Sequence, residues 1–466
     1  MALNAFSARI ASPIRPTSHA AESPFEGEPV NLTTATTRRI LRTAAATAAV
    51  GALTLGLAAC SSGSGGGDGR GGQLTLWTHN AGNDAELAAI EKIVDDYNAS
   101  QDTNTVKVQA FPQDSYNDSV VAAAAAGKLP CIVDIDGPNV PNWAWAKYLT
   151  PLKLDGVDLD DFLPSVQGVW NDETYSIGYY DVALTMLAKK SVLEGNGIRI
   201  PTADAPWTKD EFAAALATLK ATGEWDYPLD LGTAGTGEWL PYAYSPFLQS
   251  AGGDLINRSD YLTADGALNG PDAVAFADWF QGLISDGYAA KKSGEDSTLD
   301  FQNGQSAILY SGSWAYSSSK EIFGDDLVAL PSVDLGNGPK IGGGSWQWGV
   351  TTGCADADAA MDYLAFSLKP ENVAAVAEAT GTIPASTEAA ALVAGYEEGG
   401  DLAQFREYSQ KFAVLRPETP AYPFISTEFA KAMSDIIDGG DPQSVLDTAA
   451  KSIDNNISTN DGYTQK

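Results

Sequence analysis

Between Leu74 and Ile135 short apolar runs alternate with helical patterns, and that alternation restricts the architecture more than any other feature of the chain. Leu74-Thr75-Leu76-Trp77 reads as a short buried strand. Asn83 is placed to cap a helix with Glu86 as its capping-box partner, and Leu87, Ile90, Val94 and Tyr97 recur at helical spacing on one face. Val106, Val108 and Ala110 alternate as a second strand does. An Ala-rich helix follows from about Tyr116 to Gly127, and Cys131 to Ile135 is a third strand. A β-α-β-α-β order of this kind implies a parallel sheet with right-handed crossovers. Further on, Thr208 caps a helix with Glu211 and turns Phe212, Leu216 and Leu219 inward. Another helix carries Phe276, Phe280, Leu283 and Ile284.

Ligands of such sheets bind beyond the carboxyl ends of the strands. Here those ends are Thr78-His79-Asn80, Gln113-Asp114 and Asp136-Gly137, all polar. Asn80, Gln113, Asp114 and Asp136 are therefore expected to face a ligand. His79, the only histidine beyond the presequence, is expected either to line the cleft or to make a strand-end hydrogen bond.

The chain's first 72 residues read as export and tether rather than fold. Arg38, Arg39 and Arg42 precede an uncharged run from Thr43 to Ala59 that ends Leu57-Ala58-Ala59-Cys60. A basic patch, a short apolar stretch and small residues before a cleavage point make an export signal. The run falls short of the ~20 apolar residues that a membrane span needs. Glu22, Glu26 and Glu28 lie ahead of the basic patch, where acids are out of place, and suggest a start codon assigned too far upstream. Export by the general secretory route and by the twin-arginine route both fit. Residues 61 to 72 are almost wholly Gly and Ser, which cannot bury apolar surface and behave as a flexible tether.

Composition excludes several functions. The chain has 28 basic and 60 acidic residues; without the five Arg and three Glu ahead of Cys60, 23 face 57, a net charge of −34. Nucleic acid and anionic lipid both call for basic patches, so neither is an expected partner. One histidine and three cysteines cannot furnish a zinc site, and a serine or cysteine triad would have to use His79. Asp134, Asp136 and Gly137 lack the later positions of a calcium loop. No metal and no cofactor is expected. A glycosidase needs only two carboxylates, and so stays as an alternative that counting cannot remove.

From the lipobox onward the chain resembles the extracellular solute-binding proteins of bacterial ABC sugar importers, the maltose-binding-protein group. The likeness rests on an ordered series: Leu-Ala-Ala-Cys60; Leu74 to Trp77 with its helix; Gly127-Lys128-Leu129-Pro130; Pro206-Trp207-Thr208-Lys209-Asp210-Glu211-Phe212; Phe301 to Ile308 running to Gly312-Ser313-Trp314; Gly342-Gly343-Gly344-Ser345-Trp346; Gly381-Thr382-Ile383-Pro384; and Arg416-Pro417. Each motif is weak alone; their order over most of the chain is specific. The resemblance implies an α/β, two-lobed periplasmic-binding-protein-like fold of type II. Each lobe would be a mainly parallel sheet flanked by helices, and hinge crossings would join them. The implied parts are an export signal (1–59), a tether (60–72), an N-lobe (73–178 and 346–398) and a C-lobe (179–345 and 399–466). Cys60 would carry lipid and hold the protein, as a monomer, to the outer face of the cell membrane. The protein would not be an enzyme. It would capture a sugar by lobe closure, an oligosaccharide in preference to a monosaccharide, and pass it to the importer's membrane subunits. A peptide or phosphate ester is the alternative cargo.

The family usually has Asp after its Gly-x-x-Pro segment, and here stands Cys131. By the family's topology the third strand neighbours a strand returning from the other lobe, which would bring Cys131 beside Cys354. The pair either bonds or remains as two buried thiols. Sugars offer flat C–H faces to aromatic rings and hydroxyls to polar groups. The 11 tryptophans include Trp239, Trp314, Trp346 and Trp348 beside glycines. Trp239, Trp314 and Trp346 are expected to touch ligand, together with Gly344, Tyr180 and Asp181 at the hinge and Arg416. Of Trp346 and Trp348, one is expected in the core.

Overall fold

A computed structural model describes residues 72–464 apart from residue 398. The first strand, β1 (Gln73–Thr78), alternates exposed and buried positions along its length. Asn83 accepts the Glu86 backbone N–H, and its amide donates to the Glu86 carboxylate, so the capping pair starts α1 (Asp84–Ser100) as read. Ile90, Ile93, Val94 and Tyr97 are its buried stripe. β2 (Thr105–Ala110), α2 (Gln113–Ala125) and β3 (Ile132–Asp136) follow. β3 is buried at every position because it is covered twice. Ile132 joins the core beneath α1, whereas Val133 and Ile135 join a second cluster with Tyr116, Val120 and Trp143. Two short strands, β4 (Gln167–Trp170) and β5 (Glu173–Ile177), complete this part of the chain.

The chain then passes to a second sheet. It comprises β6 (Leu184–Lys189), β7 (Leu229–Asp230), β8 (Ile308–Gly312) and β9 (Leu327–Leu330), in the order β9-β6-β8-β7. The helix α3 (Lys209–Thr222) opens with a complete Thr208–Glu211 capping box and stops at Gly223, whose φ of 72° favours glycine. Helices α4 (Trp239–Ala251) and α5 (Pro271–Ser285) pack together. From Trp346 the chain returns to the first sheet as β10 (Trp346–Thr351), and the sheet runs β2-β1-β3-β10-β5-β4. It crosses again after Ile383–Pro384 into α6 (Ala403–Phe412), α7 (Tyr422–Ile437) and α8 (Pro442–Thr459); α7 and α8 pack on α5.

The expectation of mainly parallel sheets holds only for β2-β1-β3. β10 runs antiparallel to both β3 and β5, and in the second sheet only β7 and β8 are parallel. A strand that arrives from the other sheet enters from the opposite end, so its direction reverses. Small ladders mark the crossings: Tyr180–Asp181 pairs with Ile383–Pro384, and Ile341–Gly342 with Ala413–Val414. Cys131 and Cys354 form a disulfide with Cα atoms 4.2 Å apart. It closes the end of the β3–β10 pair remote from Asp136, where Thr351 N–H bonds to Cys131 O. Cys60 lies outside the described residues.

Candidate ligand-binding site

The carboxyl end of β3 meets the start of β10, where Trp346 sits opposite Asp136. Arg416, from the segment ahead of α7, reaches this point. Its Nη2 lies 3.2 Å from Asp136 Oδ1, and its Nη1 lies 2.6 Å from Glu238 Oε1 at the start of α4. Its guanidinium lies 5.0 Å from the Tyr242 ring centre, and Tyr422 and Ser426 of α7 donate their hydroxyls to Glu238. One arginine thus ties the end of the first sheet to α4 and α7, elements packed with the second. Burial raises the Asp136 pKa to about 6; Arg416 draws it down, and Glu238 pushes it up again. Desolvation outweighs the ion pair there, as it does for carboxylates removed from water without full compensation. A groove lined by Gly137, Ser165, Gln167, Gly344, Gln347 and Arg416 opens beside the network.

Trp346 brings an aromatic ring to this meeting point. Trp346 is half-buried, with one face stacked on His79 at 3.6 Å between ring centres and 11° between planes. Trp239 directly follows Glu238. Its ring lies over Gly232 and over Gly235, where a Cβ would collide with it, and its Nε1 donates to Gly232 O at 2.9 Å. Trp314 covers Gly312 in the same way at the end of β8 and is 36% exposed. Trp348 is the core member of its pair, buried against Tyr179. Gly344 has a φ of 92° and donates its N–H to Asp181.

Three of the expected ligand contacts are buried and bonded to protein groups. Asp181 has no exposed surface, and its carboxylate is taken up by Ser165 at 2.8 Å, Ser409 at 2.5 Å and the N–H groups of Val182 and Gly344. It knots the crossing segments. Burial raises its pKa, and those hydrogen bonds limit the rise. Tyr180 is buried and donates to Glu86 at 3.0 Å. Asn80, also buried, donates to Thr78 Oγ1 and accepts from Asn83, and so shapes the turn after β1. Gln113 and Asp114 are exposed in the first turn of α2, at the same sheet edge but beyond β2. Their side chains take no part in the Arg416 network.

Glu238, Tyr422 and Ser426 escaped the sequence reading. Glu238 stood beside a quoted tryptophan, yet nothing local announces an ion pair with Arg416, 178 residues away. His79 is buried and bonds Asp134 through Nδ1 at 2.6 Å.

Two sheets joined by crossing ladders, with a polar, tryptophan-bearing junction where they meet, define a two-lobed ligand-binding protein of the type II periplasmic class. The chain belongs to the bacterial extracellular solute-binding proteins, whose family model matches residues 92–404. It is 24% identical over 327 residues to an uncharacterized lipoprotein of Streptomyces antibioticus, covering 65% of this chain and 68% of that one. It is 23% identical over 287 residues to the maltooligosaccharide ABC transporter solute-binding lipoprotein of Streptococcus pneumoniae, covering 56% of this chain and 64% of that one. Among solved structures, the GacH receptor of Streptomyces glaucescens superposes with a TM-score of 0.69 at 21% identity, over 84% of this chain and 100% of that one. The cyclic α-maltosyl-1,6-maltose binding protein of Arthrobacter globiformis gives 0.69 at 24%, over 83% and 99%. At these identities the likeness establishes the fold.

Proposed function

We propose that the protein captures a carbohydrate, with an oligosaccharide favoured, and delivers it to an ABC importer. The observation that carries this reading is the partly exposed Trp346 beside the Asp136–Arg416–Glu238 network. A stacking ring next to a fixed array of donors and acceptors suits the C–H faces and hydroxyls of a sugar. Trp239, next to Glu238, and the 36% exposed Trp314 are the further rings offered to a ligand of more than one sugar unit. The pneumococcal relative is named for maltooligosaccharides, and the structures that share the fold were solved with acarbose or as a cyclic maltosyl-maltose binder. Asp136 and Glu238, the carboxylates of the network, are both held by Arg416, which favours binding over glycoside cleavage. The lobes close on ligand by hinge motion, and no covalent step is involved.

Cys60 would be acylated and hold the mature chain, as a monomer, to the outer face of the membrane through residues 61–72. Among the described residues no helix is long and apolar enough to cross a membrane. Fractionation tests the anchor: Cys60→Ser moves the protein from the membrane pellet to the soluble fraction, and an unchanged pellet contradicts it. Thermal unfolding against linear and cyclic maltooligosaccharides, monosaccharides, peptides and phosphate esters tests the cargo. A bound ligand at a hundred times its Kd adds about 2.7 kcal/mol of stability. A shift with sugars is expected; a shift confined to peptides or phosphate esters removes the sugar reading.

A further inference from the structure

We propose that His79 is the positioning residue of the ligand platform: held by Asp134, it backs Trp346 and fixes the plane of the ring on which a sugar stacks. The proposal rests on the reading of Trp346 as a sugar contact and assigns that contact its support.

A tryptophan at the end of a strand, partly in solvent, is free to turn about its side-chain torsions unless something holds it. Here one face lies flat on the His79 imidazole, and Tyr116 meets it edge-on with centres 5.9 Å apart and planes 68° apart. Since His79 covers one face, the exposure that Trp346 keeps belongs to its other face and edge. Both supports are anchored to strand ends. His79 Nδ1 lies 2.6 Å from Asp134 Oδ2, which also accepts the Thr78 hydroxyl at 2.9 Å. Tyr116 donates its hydroxyl to Trp77 O and accepts the Asp134 N–H. His79 is only 4% exposed. It is therefore built to act through Trp346 rather than on a ligand.

The charges around the imidazole favour the same role. Asp134 and Asp136 face it from β3, Glu86 from α1 and the Tyr116 phenol from α2, while Arg416 neutralises part of Asp136 from the far side. Burial alone would lower the His79 pKa, but the Asp134 carboxylate, with Glu86 and Asp136 behind it, more than offsets this and raises it. A protonated imidazole against an indole face adds cation–π attraction to the stack.

The test is a double-mutant cycle on the full chain, reading maltotriose affinity by calorimetry for wild type, His79→Gln, Trp346→Leu and the double variant. Glutamine keeps a donor for Asp134 and removes the flat backing. His79→Gln is expected to weaken binding about tenfold in the wild-type background, and to add no loss once Trp346 is gone. An equal loss in both backgrounds, or none in either, overturns the proposal. A second measurement needs no sugar. A protonated imidazole quenches an indole stacked on it, so Trp346 emission, isolated as the difference from Trp346→Phe, is expected to rise as pH is raised through the titration of His79. The rise is expected to vanish in His79→Gln. Emission independent of pH in the wild type overturns the stack itself. If the emission titrates but wild type binds no sugar, the backing role stands, and the sugar assignment fails separately.

Discussion

Arg416 donates to Asp136 through both terminal nitrogens, at 3.2 and 3.4 Å, and shares one of them with Glu238 at 2.6 Å. The arginine is buried, so removing it strands charge rather than merely losing a contact. Breaking a buried ion pair from one side costs about 3–5 kcal/mol. Arg416→Met is expected to lower the urea midpoint accordingly at pH 7. A change within the range of a surface substitution would show that the network is open to water.

Asp136 makes a pH prediction whose sign differs from that of an ordinary ion-paired acid. Its folded pKa is raised from 3.8 to about 6, so between these values the folded chain holds a proton that the unfolded chain has released. This group's contribution to stability therefore falls as pH rises from 4 to 6. Asp136→Asn removes that slope. The variant is expected to gain on wild type between pH 4.5 and pH 7 in parallel denaturant titrations. A gain in the opposite direction would mean that Arg416, not burial, sets this carboxyl.

Trp346 and Trp348 are two residues apart on one strand and divide ligand contact from packing. Trp348 is buried against Tyr179, and Trp348→Ala is expected to cost about 3–5 kcal/mol of stability. Trp346→Ala is expected to leave more of the stability and to weaken sugar binding at least tenfold, about 1.4 kcal/mol. Urea unfolding and calorimetry of the two variants separate the effects. Equal stability losses with equal affinities would remove Trp346 from the site.

The disulfide closes a loop with a sequence separation of 223 residues at the end of β3 away from Asp136. Cys131→Ser with Cys354→Ser is expected to lower stability by about 2–5 kcal/mol. Sugar affinity should hold, since neither cysteine borders the Trp346 junction. A large affinity loss in the folded double variant would show that the remote end of the sheet shapes the site.

The fold was legible because its local signals agree. Asn83 with Glu86 and Thr208 with Glu211 start their helices, and the strand ends at Thr78, Ala110 and Asp136 lie within a residue or two of the apolar runs. The site was legible only in part. Trp346, Asp136 and Arg416 do converge, whereas Asp181, at a crossing, is bonded to Ser165 and Ser409, and Tyr180 to Glu86 of α1. Polarity at a strand end does not tell whether a group faces ligand or satisfies protein. Glu238, Tyr422 and Ser426 meet Arg416 only through tertiary packing, and no periodicity or motif in their own segments reports it. The antiparallel course of β10 likewise follows from where the chain re-enters, not from the composition of the strand.

The most direct test is isothermal titration of the full chain with maltotriose and longer maltooligosaccharides, followed by chromatography of the recovered sugar. Saturable one-to-one binding with the sugar returned intact is the expected result. No heat with any sugar, or recovery of shortened products, would contradict a sugar-capturing receptor.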